Sequence, residues 1–150
     1  MKKTFDQELA SLQADYHVLY QKLRGYHWTV SGPLFFGLHA HFEQLYEDVA
    51  EKIDALAERL AARGARPPVT MPITMKDQLA LARLAEDAGP TAPVDMVRGI
   101  AADLETLDGT LRPLARAAED AGDRASANLL DGFADGQEKA LWMLRSFLAQ

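Results

Sequence analysis

Three of the four histidines, His27, His39 and His41, fall within fifteen residues, and the acids Glu43, Glu47, Glu51, Asp54 and Glu58 follow at steps of four, four, three and four. On a helix that spacing puts the five carboxylates along one stripe. A single histidine is more often a hydrogen-bonded or surface residue than a ligand, and an acidic stripe is more often a solvated face. Here the stripe has few cationic partners one turn away within it, so bound cations would relieve its mutual repulsion. The chain has no cysteine, which excludes disulfides, thiolate sites and thiol chemistry and leaves His, Asp, Glu and water to hold any metal.

At 100° per residue, His39 and Glu43 point about 40° apart, as do Asp54 and Glu58, so each pair can chelate. His39 and Asp54 are separated by about 22 Å of helix axis at 1.5 Å per residue, so one ion cannot touch both within a chain. A two-fold axis packing two such helices antiparallel would bring the His39 end of one to the Asp54 end of the other and complete two equivalent sites. Spacing alone does not establish that dimer. His41 points about 160° away from His39 and is set aside; His17 is read as structural or exposed.

The elements that carry these residues are legible from apolar periodicity. Phe5, Leu9, Leu12, Tyr16, Leu19, Leu23, Tyr26 and Val30 alternate steps of four and three, the stripe of a half-buried helix. Thr4 with Gln7 offers a capping box, and Gly32-Pro33 a stop, so helix A is expected over about 5–31. Leu38, Phe42, Leu45, Val49, Ile53, Leu56 and Leu60 give helix B over about 35–63, with Gly64 suited to close it. The stretch 64–92 carries Pro67, Pro68, Pro72, Gly89 and Pro90 and reads as a long crossover, with a short helix over Thr74 to Ala85. Helix C is expected over about 93–121, kinked at Pro113, and helix D over about 124–148. Two antiparallel hairpins joined by a long crossover make an all-α, ferritin-like four-helix bundle in one domain, 1–150.

Length (150 residues), 48% hydrophobic and 25% charged composition suit one globular domain. No apolar stretch approaches the roughly 20 residues of a membrane span, and Asp6 and Glu8 interrupt any signal-peptide core; the expected location is the cytoplasm, with nucleoid association as a further possibility. The net charge of −6 disfavours broad attachment to a polyanion and favours cations as partners.

The run Tyr26-His27-Trp28-Thr29-Val30-Ser31-Gly32-Pro33, then Phe35-Phe36-Gly37-Leu38-His39, Phe42-Glu43-Gln44-Leu45-Tyr46 and Asp54-Ala55-Leu56-Ala57-Glu58-Arg59, closely resembles the signature of the Dps mini-ferritins. Glu138 to Arg145 resembles that family's last helix. The resemblance implies a hollow shell of twelve identical subunits. It also implies an intersubunit ferroxidase centre in which His27 and His39 of one chain face Asp54 and Glu58 of its dyad mate, with Glu43 beside the histidines. It implies that Fe(II) is oxidised, with hydrogen peroxide the preferred oxidant, and that ferric iron accumulates inside. Imidazole and carboxylate without sulfur suit iron and admit Zn or Mn as competitors. Ordinary ferritins place Glu-x-x-His motifs on facing helices of one subunit, and this chain contains none. Trp28 is divided between packing and, as the resemblance implies, interception of oxidising equivalents; Trp142 is read as packing.

The resemblance further implies acid-lined entry channels near the start of the last helix. There Glu119 keeps an acid, Arg124 and Asn128 depart from the pattern, and Asp120, Asp123 and Asp131 are candidates to compensate. DNA binding is disfavoured, because only Lys2 and Lys3 precede helix A. A DNA-compacting shell with a degenerate metal centre, and a general four-helix binding protein, are the competing readings. Intact His27, His39, Asp54 and Glu58 favour iron oxidation over both.

Overall fold

The computed structural model describes residues 1–67, 79–87 and 91–149. Four long helices carry the fold: α1, Phe5–Thr29; α2, Phe35–Ala62; α3, Pro93–Asp120; and α4, Arg124–Leu148. The Thr4–Gln7 capping box is present, with Gln7 N donating to Thr4 Oγ1 at 3.2 Å and Thr4 N to Gln7 Oε1 at 2.9 Å, so two otherwise orphaned amides are satisfied. At the other end Val30 is already extended, and α1 stops two residues short of the expected 31. Gly64 takes φ +83° and its amide bonds to Ala61 O at 2.9 Å, closing α2 in the left-handed conformation that glycine adopts without steric cost.

Helix α3 continues through Pro113, although the ring removes the amide that would bond to the Gly109 carbonyl. Pro113 and Gly109 are both exposed, so water can serve that carbonyl. The short helix expected over Thr74 to Ala85 is represented by a helical stretch at 79–81; residues 82–85 are not helical, and 74–78 lie outside the described residues.

Helices α1 and α2 pack as one hairpin and α3 and α4 as another, with α1 against α3. The core between them is built by Leu9, Leu12, Leu19, Leu23, Phe42, Leu56, Ile100, Leu107, Leu111, Leu130 and Leu144, all essentially solvent-free; each such side chain contributes roughly 1.5–3 kcal/mol on burial. Phe147, an apolar residue near the end of α4, is exposed.

Most polar groups inside the bundle are paired, as burial requires, Gln13 Oε1 and Arg59 Nε being the exceptions among the described residues. Tyr16 Oη donates to Gln137 Oε1 at 2.9 Å, and Gln137 Nε2 donates to Asp108 Oδ1 at 2.7 Å, linking α1, α4 and α3. The crossover is held on α1 by buried Asp15, which accepts from the amides of Arg83 at 2.5 Å and Leu84 at 3.1 Å. Tyr26 Oη donates to Asp87 Oδ2 at 2.5 Å further along. Among the described residues no helix is long and apolar enough to cross a membrane.

Candidate metal centre

His27 lies near the end of α1 and His39 in the second turn of α2, and the tight connection through Gly32 (φ +89°) folds one against the other. Their contact is reciprocal: His27 Nδ1 bonds to His39 O, and His39 Nδ1 to His27 O, each at 2.7 Å. A carbonyl oxygen can only accept, so each Nδ1 carries a proton, and in the neutral ring each Nε2 keeps its lone pair. That is the tautomer a metal-ligating imidazole requires, with the second nitrogen anchored to fix the ring.

The rings stack with centroids 3.7 Å apart and planes 17° from parallel. Phe35 stacks on His39 at 4.9 Å, and the Tyr46 ring meets His27 edge-on at 5.4 Å. Tyr46 Oη reaches Glu43 Oε1 at 3.4 Å, a long hydrogen bond that ties Glu43 to the histidine pair through one aromatic ring. Burial, then the Glu43 charge, push the Tyr46 phenol above its ordinary pKa, so it remains a donor to that carboxylate. Phe35 and Tyr46 were not singled out from the sequence. The available signal was their spacing, one turn before His39 and one turn after Phe42.

Asp54 and Glu58 stand fifteen or more residues further along α2, exposed, and they do not meet the histidines of their own chain. Among the described residues no three His, Asp or Glu side chains converge on a possible ion. Nor does any described lysine, arginine or histidine form an ion pair with Glu43, Glu47, Glu51, Asp54 or Glu58. Lys52, the one lysine within the stripe's span, is buried and turned to Asp48 at 2.6 Å.

Trp28 is 58% exposed, with the Arg24 guanidinium 4.8 Å from its ring centroid, and Trp142 is 63% exposed. Neither packs in the core of its own chain. His17 and His41 are half-buried, and burial lowers the pKa of each. Of the acids near the start of α4, Asp123 is committed elsewhere: it caps the helix by accepting from Ser126 N at 3.1 Å and pairs with Arg63 at 2.5 Å. Hydrogen bonds from Ser126, followed by Arg59 and Arg63, hold its pKa below the usual carboxylate value. Asp120 and Asp131 remain exposed.

A family profile described as a ferritin-like domain matches residues 7–150. The DNA protection during starvation protein of Brevibacillus brevis is 38% identical over 152 residues, covering 99% of each chain. Among solved structures, Dps from Staphylococcus aureus superposes with a TM-score of 0.91 at 32% identity, covering 97% of this chain and 95% of that one. A Dps protein from Vibrio cholerae O1, described as a member of a broad superfamily of ferritin-like diiron-carboxylate proteins, gives 0.90 at 33% identity, covering 97% and 89%.

Proposed function

The chain belongs to the Dps family of ferritin-like proteins, and from that premise we propose that it oxidises Fe(II) at centres shared between two subunits and stores the ferric product in a closed shell of twelve. The observation that carries this reading is the histidine pair. Two imidazoles with both Nδ1 atoms committed to carbonyls offer two Nε2 lone pairs and have no other evident use for them.

In this reading Asp54 and Glu58 of the dyad mate supply the anionic oxygens, and Glu43 stands beside the histidines. Iron is the substrate, and hydrogen peroxide is the proposed oxidant. One peroxide accepts two electrons, one from each of two Fe(II) ions, and with two protons gives two waters. The carboxylates stabilise the ferric product more than the ferrous substrate, because the added positive charge develops beside them. Asp54 and Glu58, exposed and with no ion-pair partner among the described residues, can meet a cation without first breaking an ion pair.

Protection of DNA then follows from removing Fe(II) and peroxide together, with no need for contact with the duplex. The subunit charge of −6 opposes such contact. The test is an anaerobic Fe(II) titration followed by peroxide. Ferric absorbance should grow with about one peroxide consumed per two irons, and the iron should stay with the shell on gel filtration. Iron that remains ferrous, or that elutes apart from the protein, contradicts the proposal.

A further inference from the structure

We propose that Phe35 is a positioning residue of the iron site: its ring holds the plane of His39, so that Nδ1 stays on the His27 carbonyl and Nε2 stays available to the metal. The inference rests on the reading of His39 as an iron ligand and goes beyond it by naming what fixes that ligand.

The start of α2 is weakly secured. Its N-cap is Leu34, which makes no side-chain capping bond, and the first turn contains no acid to complement the helix dipole. What closes that turn is backbone alone, Phe35 N to Gly32 O at 3.1 Å and Leu38 N to Leu34 O at 3.0 Å. His39 is carried one turn into this end. The torsion that orients an imidazole is broad, without the sharp wells of an aliphatic side chain, and one hydrogen bond at Nδ1 leaves the ring free to rock about that contact. A plane needs a face contact. His39 has two near-parallel neighbours, His27 at 3.7 Å and 17°, and Phe35 at 4.9 Å and 26°. At those distances both cannot occupy the same face, so His39 lies between them. Phe35 precedes His39 by four residues, where helical side chains meet. Phe36 is 85% exposed, so of the two adjacent phenyl groups only Phe35 does this. His27 is itself a ligand in the proposed site and must accommodate the metal, whereas Phe35 has no such duty.

The test uses the assembled, metal-free shell. Co(II) is titrated anaerobically and followed by its visible absorption, and Fe(II) oxidation is followed separately. Phe35→Leu keeps apolar bulk at a half-buried position but removes the flat face. It should weaken Co(II) binding and raise KM for Fe(II) about 10-fold or more, the usual consequence of losing a ligand's support. The rate at saturating Fe(II) should change little. Phe35→Tyr, which keeps the ring, should bind Co(II) like the wild type, and a crystal structure of metal-free Phe35→Leu should show the His39 ring turned away from the His27 carbonyl. Wild-type Co(II) affinity in Phe35→Leu, or equal loss in Phe35→Tyr, overturns the proposal. His39→Ala separates this from failure of the underlying reading. Weak binding in His39→Ala with normal binding in Phe35→Leu removes Phe35 alone, and normal binding in both removes His39 from the site and Phe35 with it.

Discussion

The two ends of α2 are built in opposite ways. At its start His39 is clasped between Phe35 and His27 and bonded to a backbone carbonyl, while Tyr46 meets the His27 ring edge-on. Towards its end Asp54 and Glu58 stand in solvent with no cationic partner among the described residues. Imidazoles must be fixed in tautomer and plane before they are useful ligands, so their half is completed by one chain. Carboxylates fixed in advance would suffer mutual repulsion, and they gain by remaining loose until a cation arrives. The contrast suits the proposed site divided between two copies of the chain, with one half held by its own packing and the other exposed.

The most severe way to break this comparison is to remove the adaptable half. Asp54→Ala with Glu58→Ala should lower peroxide-dependent iron oxidation by at least about 100-fold, the scale on which loss of charge stabilisation at a reacting centre acts. Unchanged rates in stopped-flow absorbance would show that these carboxylates are not the partners of the histidines. Mixing that variant with His27→Ala, His39→Ala chains sharpens the point. Random pairing makes half the dimers mixed, and each mixed dimer has one wholly wild-type site, so roughly a quarter of sites should recover under isologous two-fold symmetry. Activity that stays at the level of the parent variants, in shells containing both chains by mass spectrometry, would place each site within one subunit.

A smaller effect separates the ends by stability. Truncating His27 removes a ring contact from each neighbour and the Nδ1 donor to the His39 carbonyl, while His39 Nδ1 keeps its bond to the His27 backbone carbonyl. A cost of about 1–3 kcal/mol is expected for disturbing such a partly buried hydrogen-bonded pair. Asp54→Ala should lie within about 0.5 kcal/mol of the wild type, as exposed substitutions do. Urea melts of metal-free protein would decide it, and a larger loss in Asp54→Ala than in His27→Ala would reverse the assignment of rigid and loose halves.

Much of this was legible beforehand, because the information is local. The capping box needs only Thr4 and Gln7, the close of α2 only Gly64, and the separation of His39 from Asp54 only the helical rise. Whether a side chain is solvated in a single chain is not local. Trp142 and Phe147 carry apolar side chains on α4, yet both face outward, because a stripe records hydrophobicity and not which neighbour covers it. The mutual carbonyl bonds of His27 and His39 were out of reach for a related reason: they depend on how tightly the Gly32 turn folds one helix end onto the other. Asp123, a candidate for the entry channel by position, is instead drawn into a clamp with Arg63 and Ser126, which joins residues far apart in the chain.

That clamp supplies the smallest prediction and sharpens the comparison once more, because it anchors the backbone near the carboxylate end while leaving Asp54 and Glu58 themselves loose. Arg63 follows α2 and pairs with Asp6 at 2.5 Å and with Asp123 at 2.5 Å, tying the starts of α1 and α4 to the end of α2. Asp123→Ala removes the cap of α4 and one arm of the clamp together; the cap alone is worth about 1 kcal/mol, and the partly exposed ion pair adds little. The folded-state pKa of Asp123 lies below its unfolded value of 3.8, so the folded protein binds fewer protons there than the unfolded chain. Its stabilisation is therefore fully present above that unfolded value and is lost as pH falls through the folded one. Melting temperatures of wild type and Asp123→Ala should differ by a constant amount from pH 5 to pH 8 and converge only below about pH 4. A gap that instead closes between pH 6 and pH 7 would assign the stabilising group at this end to something other than the Asp123 carboxylate.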